Sequence, residues 1–156
     1  MTLISNIKDK IVTIFGLIHK PGEIIFSRIQ NNFNDDRIDK EKALIIYNQI
    51  YNNMPDNSKK KLKYENTKWY EIYSKHREVT MIQISNRDYL LCRDLFFTSI
   101  LLLIIYLYST LLGLLSFERR FIIFLLVMIV VNNIATHIKA SRFAYNVIAY
   151  DLTISK

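Results

Sequence analysis

A run of lysines followed by aromatic residues lies near the middle of the chain. The lysines are Lys59, Lys60, Lys61 and Lys63, and the rings belong to Trp69, Tyr70 and Tyr73. Ammonium groups hold phosphates while aromatic rings stack on bases, so the pattern is compatible with a nucleotide, RNA or lipid headgroups. A solvated helix start followed by core aromatics produces the same pattern, and we favour that interpretation. Lipid is disfavoured because Lys61 lies about 50 Å before the first long apolar run if the helix between them is straight.

A second set of polar residues lies within two apolar runs in the C-terminal half. On the first run, Tyr106, Ser109, Thr110 and Gly113 fall on one helical side; the second run ends in Asn132, Asn133, Thr136 and His137. Ser109 and Gly113 have the small-xxx-small spacing that lets helices approach closely. Polar side chains in such segments either hold the helices of one chain together, or pack between subunits and line a pore. A wet bilayer edge is a third interpretation, and all three stay open.

The chain contains no motif of an enzyme active site. Its three histidines share no local spacing with Cys, Asp or Glu that is typical of a metal site, and its single cysteine, Cys92, cannot form an intrachain disulfide. It has no Gly-rich phosphate loop, nucleophile elbow or His-Glu-x-x-His motif. We therefore predict a protein that is not an enzyme and needs no cofactor or metal ion.

The elements that position the second set of polar residues form a predicted transmembrane hairpin. The run 95–117 contains no charged residue and is long enough to cross a hydrocarbon core of ~30 Å. Glu118, Arg119 and Arg120 form the predicted loop. The fully apolar part of the second crossing, residues 121–131, is only about 17 Å long. Such a short segment with a polar end is expected to depend on neighbouring chains.

The rest of the chain is predicted to be helical as well, because Gly (3) and Pro (2) are scarce. Predicted helices cover residues 2–19, 22–32, 37–53 and 59–93. Asp35 or Asp36 is the predicted N-cap of the third helix, and Ser58 that of the fourth. The long fourth helix is predicted to bend near residues 83–86. Its β-branched residues leave a short strand over 79–86 as the alternative.

These elements predict an all-α fold in three parts. Residues 1–93 form a cytoplasmic helical region, 94–138 a transmembrane helical hairpin, and 139–156 a cytoplasmic C-terminal helical tail. Both flanks of a hairpin lie on one side of the membrane, and that side carries Arg87, Arg93, Lys139 and Arg142 near the interface. Lys/Arg asymmetry therefore predicts an inner-membrane protein with both termini in the cytoplasm.

Two segments and the layout around them also carry a resemblance. The segments read NTKWYEIYSKHR (66–77) and NRDYLLCRDL (86–95), and a hairpin and a basic helix follow. This arrangement resembles small bacterial two-helix membrane proteins. In layout it is similar to two-helix membrane effectors of anti-phage defence, such as CRISPR accessory proteins and cyclic-nucleotide-triggered effectors. The resemblance implies a cytoplasmic sensing or docking part, and a membrane part that permeabilises the inner membrane when assembled. It carries over no functional residue.

Two functions are therefore expected from the sequence. The first is a homo-oligomeric, pore-forming effector that permeabilises or depolarises the membrane, with a nucleotide, RNA or protein as its cytoplasmic trigger. The alternative is a non-enzymatic membrane anchor or adaptor that docks a cytoplasmic partner or nucleic acid at the membrane. In both cases the membrane is a partner. Further copies of the chain are a partner in the first.

Overall fold

The protein is all-helical over the residues that its computed structural model describes, which are 20–31 and 35–155. This part of the chain contains no β-strand and forms six helices: α1 (Ile25–Asn31), α2 (Lys40–Ile46), α3 (Asn48–Asn52), α4 (Ser58–His76), α5 (Thr80–Leu111) and α6 (Arg119–Ile154). The predicted all-α fold with a C-terminal apolar hairpin is confirmed, since α5 and α6 are long and apolar. The helix predicted over residues 2–19 lies outside the described residues.

The described helices belong to two compact units. We call residues 88–139 the hairpin unit, which contains most of α5 and the first part of α6. We call the described residues of 19–87 and 140–156 the helical unit, which contains α1 to α4, the start of α5 and the end of α6. The chain thus passes from the helical unit into the hairpin unit along α5 and returns along α6.

Two helices of the helical unit begin at other caps than the predicted ones. Asp39 is the N-cap of α2, instead of either residue of the pair Asp35-Asp36. Asp35 forms an ion pair with Arg37. Asn57, not Ser58, caps α4. In both cases the cap is the residue whose backbone is extended and whose side-chain oxygen accepts the backbone N–H three residues later, which is the geometry an N-cap requires.

The single helix predicted over residues 37–53 is wrong, because the structure has α2 and α3 there with a break at Tyr47. The Tyr47 ring is buried edge-on against Phe26, with their centroids 5.4 Å apart. Its hydroxyl donates a hydrogen bond of 2.6 Å to the Asp151 carboxylate. Tyr47, which makes these tertiary contacts, is the residue at which regular helix geometry is lost. The contacts outweigh the modest helix propensity of a tyrosine.

The single helix predicted over residues 59–93 is also wrong, because α4 ends at His76 and α5 begins at Thr80. The break at residues 77–79 precedes the predicted bend at 83–86, and those residues are helical instead of forming a strand. Ile82 is fully buried. Asn86 donates to the Tyr73 hydroxyl at 3.3 Å. Packing of this side of α5 on α4 therefore holds a stretch of weak helix formers in a helix.

The core of the helical unit is built around Trp69, which is only 3% exposed. Tyr73 stacks on the indole at a centroid distance of 5.5 Å, and Phe143 meets it edge-on at 5.2 Å. The indole N–H donates to the carbonyl of Ala144 at 3.3 Å. Gly22 lies so close that an added Cβ would be 2.7 Å from the Trp69 Cβ. A glycine is therefore needed there for the close approach to Trp69.

The connection between α5 and α6 consists of residues 112–118, so the predicted loop of three residues, 118–120, is wrong. Arg119 and Arg120 belong instead to the first turn of α6. Their charges end the apolar run in the sequence, and the charge pattern therefore predicts a loop at these residues. The helix end itself is set earlier, by a glycine.

Gly113 ends α5 in a Schellman motif. Its φ of +72° lies in the left-handed region that favours glycine. Its N–H donates to the Thr110 carbonyl at 3.1 Å, and the N–H of Leu114 donates to the Ser109 carbonyl at 3.0 Å. These are the two hydrogen bonds of the motif. Because Gly113 follows the helix end, it does not bring two helices together within this chain.

Candidate functional site

The hairpin unit carries apolar side chains on its outside. Of the most apolar stretch of each helix, only 22% is buried in α5 and 17% in α6. At mid-length, the exposed fractions are 57% for Ile104 and 58% for Val130. A core helix of a soluble protein buries such residues, whereas a membrane span presents them to lipid. The structure therefore contains two helices that are long and apolar enough to span a membrane and whose apolar sides are largely uncovered by described residues.

Polar side chains of the two arms meet inside the hairpin. Asn132 is 8% exposed and its amide donates to the hydroxyl of Ser99 at 2.9 Å. Thr136 is fully buried, and its hydroxyl donates to the Asn132 carbonyl at 2.7 Å. We call Ser99, Asn132 and Thr136 the polar seam. Ser99 was not predicted, because a single serine in an apolar run carries no signal of its partner. The polar seam therefore joins α5 to α6 through the Asn132–Ser99 hydrogen bond.

An apolar cluster lies beside the seam. Phe96 is 1% exposed and packs against Ile100 and Ile129, which are partly buried. Close van der Waals packing and hydrogen bonds across helices are what hold helices together in lipid, where the hydrophobic effect does not. The arms therefore have the contacts that a self-contained hairpin requires.

Asn133 and His137 lie one helical turn apart on α6, and both are half-buried. The amide nitrogen of Asn133 is shielded from solvent, and no partner in the described part of the chain lies within hydrogen-bonding distance of it. Asn132 and Asn133 thus have different surroundings although they are adjacent. The sequence alone did not separate them.

Tyr106 closes the turn of the hairpin. The side chain is 8% exposed, and its hydroxyl donates to the Ser116 carbonyl at 3.1 Å and accepts from the Glu118 N–H at 2.8 Å. The hydroxyl of Thr110 donates to the Tyr106 carbonyl at 2.8 Å, one turn back on the same helix. Ser109 is half-buried. These residues therefore shape the end of α5 and the turn.

Charged residues lie at the opposite end of the hairpin unit. Lys139 on α6 donates to the carboxylate of Asp88 on α5 at 2.8 Å. Arg93, only 8% exposed, contacts the neighbouring Asp94 at 3.3 Å. The ion pair joins the two arms at the point where the apolar segments begin. Such residues are expected at a membrane–water interface.

The lysines and rings of the predicted ligand patch have different environments. Lys59, Lys60 and Lys63 are exposed and Lys61 is half-buried, all in the first turns of α4. Trp69 is buried in the core, and Tyr73 stacks on it. Of the three predicted stacking residues, only Tyr70 is well exposed, at 59%. The structure thus brings exposed lysines together but does not place Trp69 where a base can stack on it.

A hydrogen-bonded group of the helical unit was not predicted from the sequence. The Asp151 carboxylate accepts from the Tyr47 hydroxyl at 2.6 Å and lies 2.7 Å from Nε2 of His76. Burial raises the pKa of Tyr47 far above its usual range, and the bond to Asp151 raises it further. No local spacing reveals this group, because its members come from three distant segments. It joins α4 and the end of α6.

A buried carboxylate forms a second such contact. Glu65 is 1% exposed, and its carboxylate accepts hydrogen bonds from the hydroxyl and the backbone N–H of Ser27. The nearby Tyr51 hydroxyl is buried and has no hydrogen-bond partner in the described part of the chain. Burial raises the pKa of Tyr51 to about 12, and the charge of Glu65 adds to the shift. Glu65 ties α4 to α1.

These polar groups do not form a metal centre. Among the residues that the structure describes, no three His, Cys, Asp or Glu side chains are grouped so that they could hold a metal ion. The polar seam bonds within the hairpin, whereas Asp151 and Glu65 join segments of the helical unit. These contacts stabilise the fold.

Substitutions of Tyr47 and Tyr51 are expected to have different effects on stability, so that the second is a control for the first. Tyr47→Phe is expected to lower the free energy of unfolding by about 1.5–3 kcal/mol, because it removes a hydrogen bond to a carboxylate. Tyr51→Phe is expected to leave stability unchanged or to raise it, because it removes a buried hydroxyl without a partner. Urea unfolding followed by the fluorescence of Trp69, the single tryptophan, measures both. Equal destabilisation by the two substitutions would contradict these contacts.

The raised pKa values of Tyr47 and Tyr51 predict a loss of stability at alkaline pH. Because the folded-state pKa of Tyr51 is raised from 10 to about 12, its ionisation is less favourable in the folded than in the unfolded chain and does not affect stability below pH 10. Stability falls as the pH rises from 10 towards 12, and Tyr47 acts in the same direction. Tyr51→Phe should reduce the slope of stability against pH in this range.

Comparison of the chain with protein families, with curated proteins and with solved structures finds no match.

Proposed function

We propose that the protein is an integral protein of the inner membrane, in which the α5–α6 hairpin anchors the helical unit as a non-enzymatic docking module. The observation that carries this proposal is the distribution of polarity in the hairpin. The side chains of Ser99, Asn132 and Thr136 bond within the hairpin, whereas apolar side chains such as Ile104 and Val130 are exposed. An anchor needs this arrangement, because lipid cannot satisfy polar groups.

The orientation follows from charge. The chain enters and leaves the hairpin at the same end, so the segments before and after it lie on one side of the membrane. That end carries Arg87, Arg93, Lys139 and Arg142, whereas the only Lys or Arg residues near the turn are Arg119 and Arg120. Positively charged flanks favour the cytoplasm, which supports a cytoplasmic helical unit. Its exposed Lys59, Lys60 and Lys63 suit an acidic cytoplasmic partner.

A pore-forming homo-oligomer, as the resemblance to two-helix anti-phage effectors implies, is the second candidate. One observation favours it: the amide of Asn133 is buried and has no partner within the described residues. A buried, unpaired amide in a membrane helix gains a partner at an interface with another helix. Asn132 does not favour a pore in the same way, because its amide already bonds to Ser99.

Vesicle leakage separates the two functions. The purified chain is reconstituted into vesicles loaded with a small fluorescent dye, next to Asn132→Leu and Asn133→Leu variants. An anchor leaves the dye inside the vesicles in all three cases. A pore releases the dye from vesicles with the unchanged protein, and Asn133→Leu suppresses the release. Dye release by the unchanged protein would therefore overturn the anchor.

A further inference from the structure

The turn of the hairpin is unusual because it is apolar and exposed. Its large side chains have exposed fractions between 51% and 71%: Leu112, Leu114, Leu115 and Phe117. A turn that emerges into water is normally built from Gly, Asn, Asp, Ser or Pro and carries few large apolar residues. These four side chains continue the exposed apolar surface of the two arms around the end of the hairpin.

Part of the backbone of the turn is closed by internal hydrogen bonds, which the N–H groups of Leu112, Gly113, Leu114 and Glu118 donate. The Schellman motif at Gly113 satisfies two carbonyls of α5. The Tyr106 hydroxyl then accepts from the N–H of Glu118 and donates to the carbonyl of Ser116. A turn in water does not need a side chain for this purpose, because water bonds to the backbone. A turn near hydrocarbon does, because an unpaired backbone group costs several kcal/mol there.

The lengths of the apolar arms agree with such a position. The apolar part of α5, from Leu95 to Leu111, is about 25 Å long at 1.5 Å per residue. The part of α6 that contains no Asp, Glu, Lys or Arg runs from Phe121 to Ile138 and is about 26 Å long, although its last third includes polar residues. Both are slightly shorter than a hydrocarbon core of ~30 Å, so a hairpin that begins at one interface ends close to the other. It does not reach far beyond it.

Two arginines follow the apolar turn after a single acidic residue, Glu118. Arg119 and Arg120 are exposed at the start of α6. Long basic side chains near the end of a membrane helix extend to the lipid phosphates while their stems stay in apolar surroundings. The order of leucines, phenylalanine and arginines therefore matches the order of acyl chains and phosphates at a bilayer surface.

We propose that the turn lies at the boundary between headgroups and acyl chains of the distal leaflet, with Leu112, Leu114, Leu115 and Phe117 in the acyl chains and Arg119 and Arg120 at the lipid phosphates. The proposal rests on the membrane-spanning hairpin of the proposed function. The turn is then a lipid-binding end of the anchor that sets the depth of the hairpin. It is not a loop presented to the aqueous space.

Depth-dependent quenching tests this position. A Cys92→Ser background carries Leu114→Cys, or Phe117→Cys as a second variant, with an environment-sensitive fluorophore on the new thiol. The protein is reconstituted into phospholipid vesicles with nitroxides either near the headgroup or at the acyl centre, and with iodide on both sides of the membrane. Lys60→Cys is the aqueous control and Val130→Cys is the control for the bilayer centre.

The label at 114 or 117 is expected to be quenched most by the nitroxide near the headgroup, and several-fold less by iodide than the label at 60. Iodide quenching at 114 and 117 equal to that at 60, with the label at 130 quenched by the acyl-centre nitroxide, overturns the inference and leaves the anchor intact. Protection of 114 and 117 from all quenchers also overturns it, because protein then covers the turn. Strong iodide quenching at 130 overturns the proposed function itself.

Discussion

Replacing Trp69 by alanine is expected to lower the free energy of unfolding of the helical unit by about 3–5 kcal/mol. The indole is the centre of the core: Tyr73 stacks on it, Phe143 packs edge-on, and its N–H bonds to the backbone of α6. Alanine leaves a cavity and removes the hydrogen bond to the Ala144 carbonyl. Because the total stability of a domain is about 5–15 kcal/mol, this loss is enough to unfold a marginally stable unit.

Tyr70→Ala is the matched control for Trp69→Ala. Tyr70 follows Trp69 directly on α4 and is also aromatic, but it is 59% exposed. Its removal is expected to change stability by less than about 0.5 kcal/mol. Circular dichroism and resistance to limited proteolysis measure both variants without the tryptophan signal. Similar behaviour of the two variants would show that Trp69 is not a core residue.

Placing an arginine at the centre of each arm is expected to abolish membrane insertion. The variant carries Ile104→Arg and Val130→Arg, at two exposed positions near mid-length of the apolar segments. An arginine at the centre of a membrane helix costs about 2.5–3.5 kcal/mol, so two are expected to cost about 5–7 kcal/mol. Synthesis without cells in the presence of liposomes, followed by flotation, measures the fraction of protein that rises with the lipid.

The same substitutions separate a membrane hairpin from an exposed hairpin in water. In water, an arginine at an exposed position changes stability by less than about 0.5 kcal/mol and improves solubility. Ile45→Arg is the control, because Ile45 is 76% exposed on α2 of the helical unit. It should float with liposomes as the unchanged protein does. Flotation of the double variant to the same extent would contradict insertion of the arms into lipid.

The fold class could be predicted because it depends on local features of the sequence. Scarce Gly and Pro favour helices, and a charge-free run such as 95–117 predicts a helix long enough to span a membrane. Helix starts were harder to predict. Several Asp, Asn and Ser residues near each start suit an N-cap, and only the backbone conformation selects Asp39 and Asn57. Helical structure was therefore predictable, whereas helix breaks and helix boundaries were not.

The helix breaks and the core depend on contacts between distant residues. Trp69 bonds to Ala144, and Tyr47 and His76 bond to Asp151, across 75 to 104 residues of chain. A single sequence gives no signal for such pairs. For the same reason, a lysine run followed by rings does not tell whether Trp69 binds a ligand or fills a core.

The surroundings of the polar residues in the hairpin were also not predictable from the sequence. Their presence in an apolar segment was visible in the sequence, and so was the choice between packing and a pore. The distinction between Asn132, which bonds to Ser99, and Asn133, whose amide has no partner among described residues, depends on the rotation of α6 about its axis. Neighbouring residues of a helix point about 100° apart around its axis. In a segment that is apolar all round, the pattern of apolar residues does not show which of two neighbours faces the other arm.

Trypsin digestion of oriented membrane vesicles, followed by an alkaline wash and mass spectrometry, tests the anchored hairpin most directly. In inverted vesicles, we predict cleavage at the exposed Lys59, Lys60 and Lys63, and retention of a fragment containing residues 95–138 in the washed membrane. In sealed right-side-out vesicles, these lysines should remain uncut. Cleavage at the lysines in right-side-out vesicles, or release of the hairpin fragment by the wash, would contradict the proposed anchor.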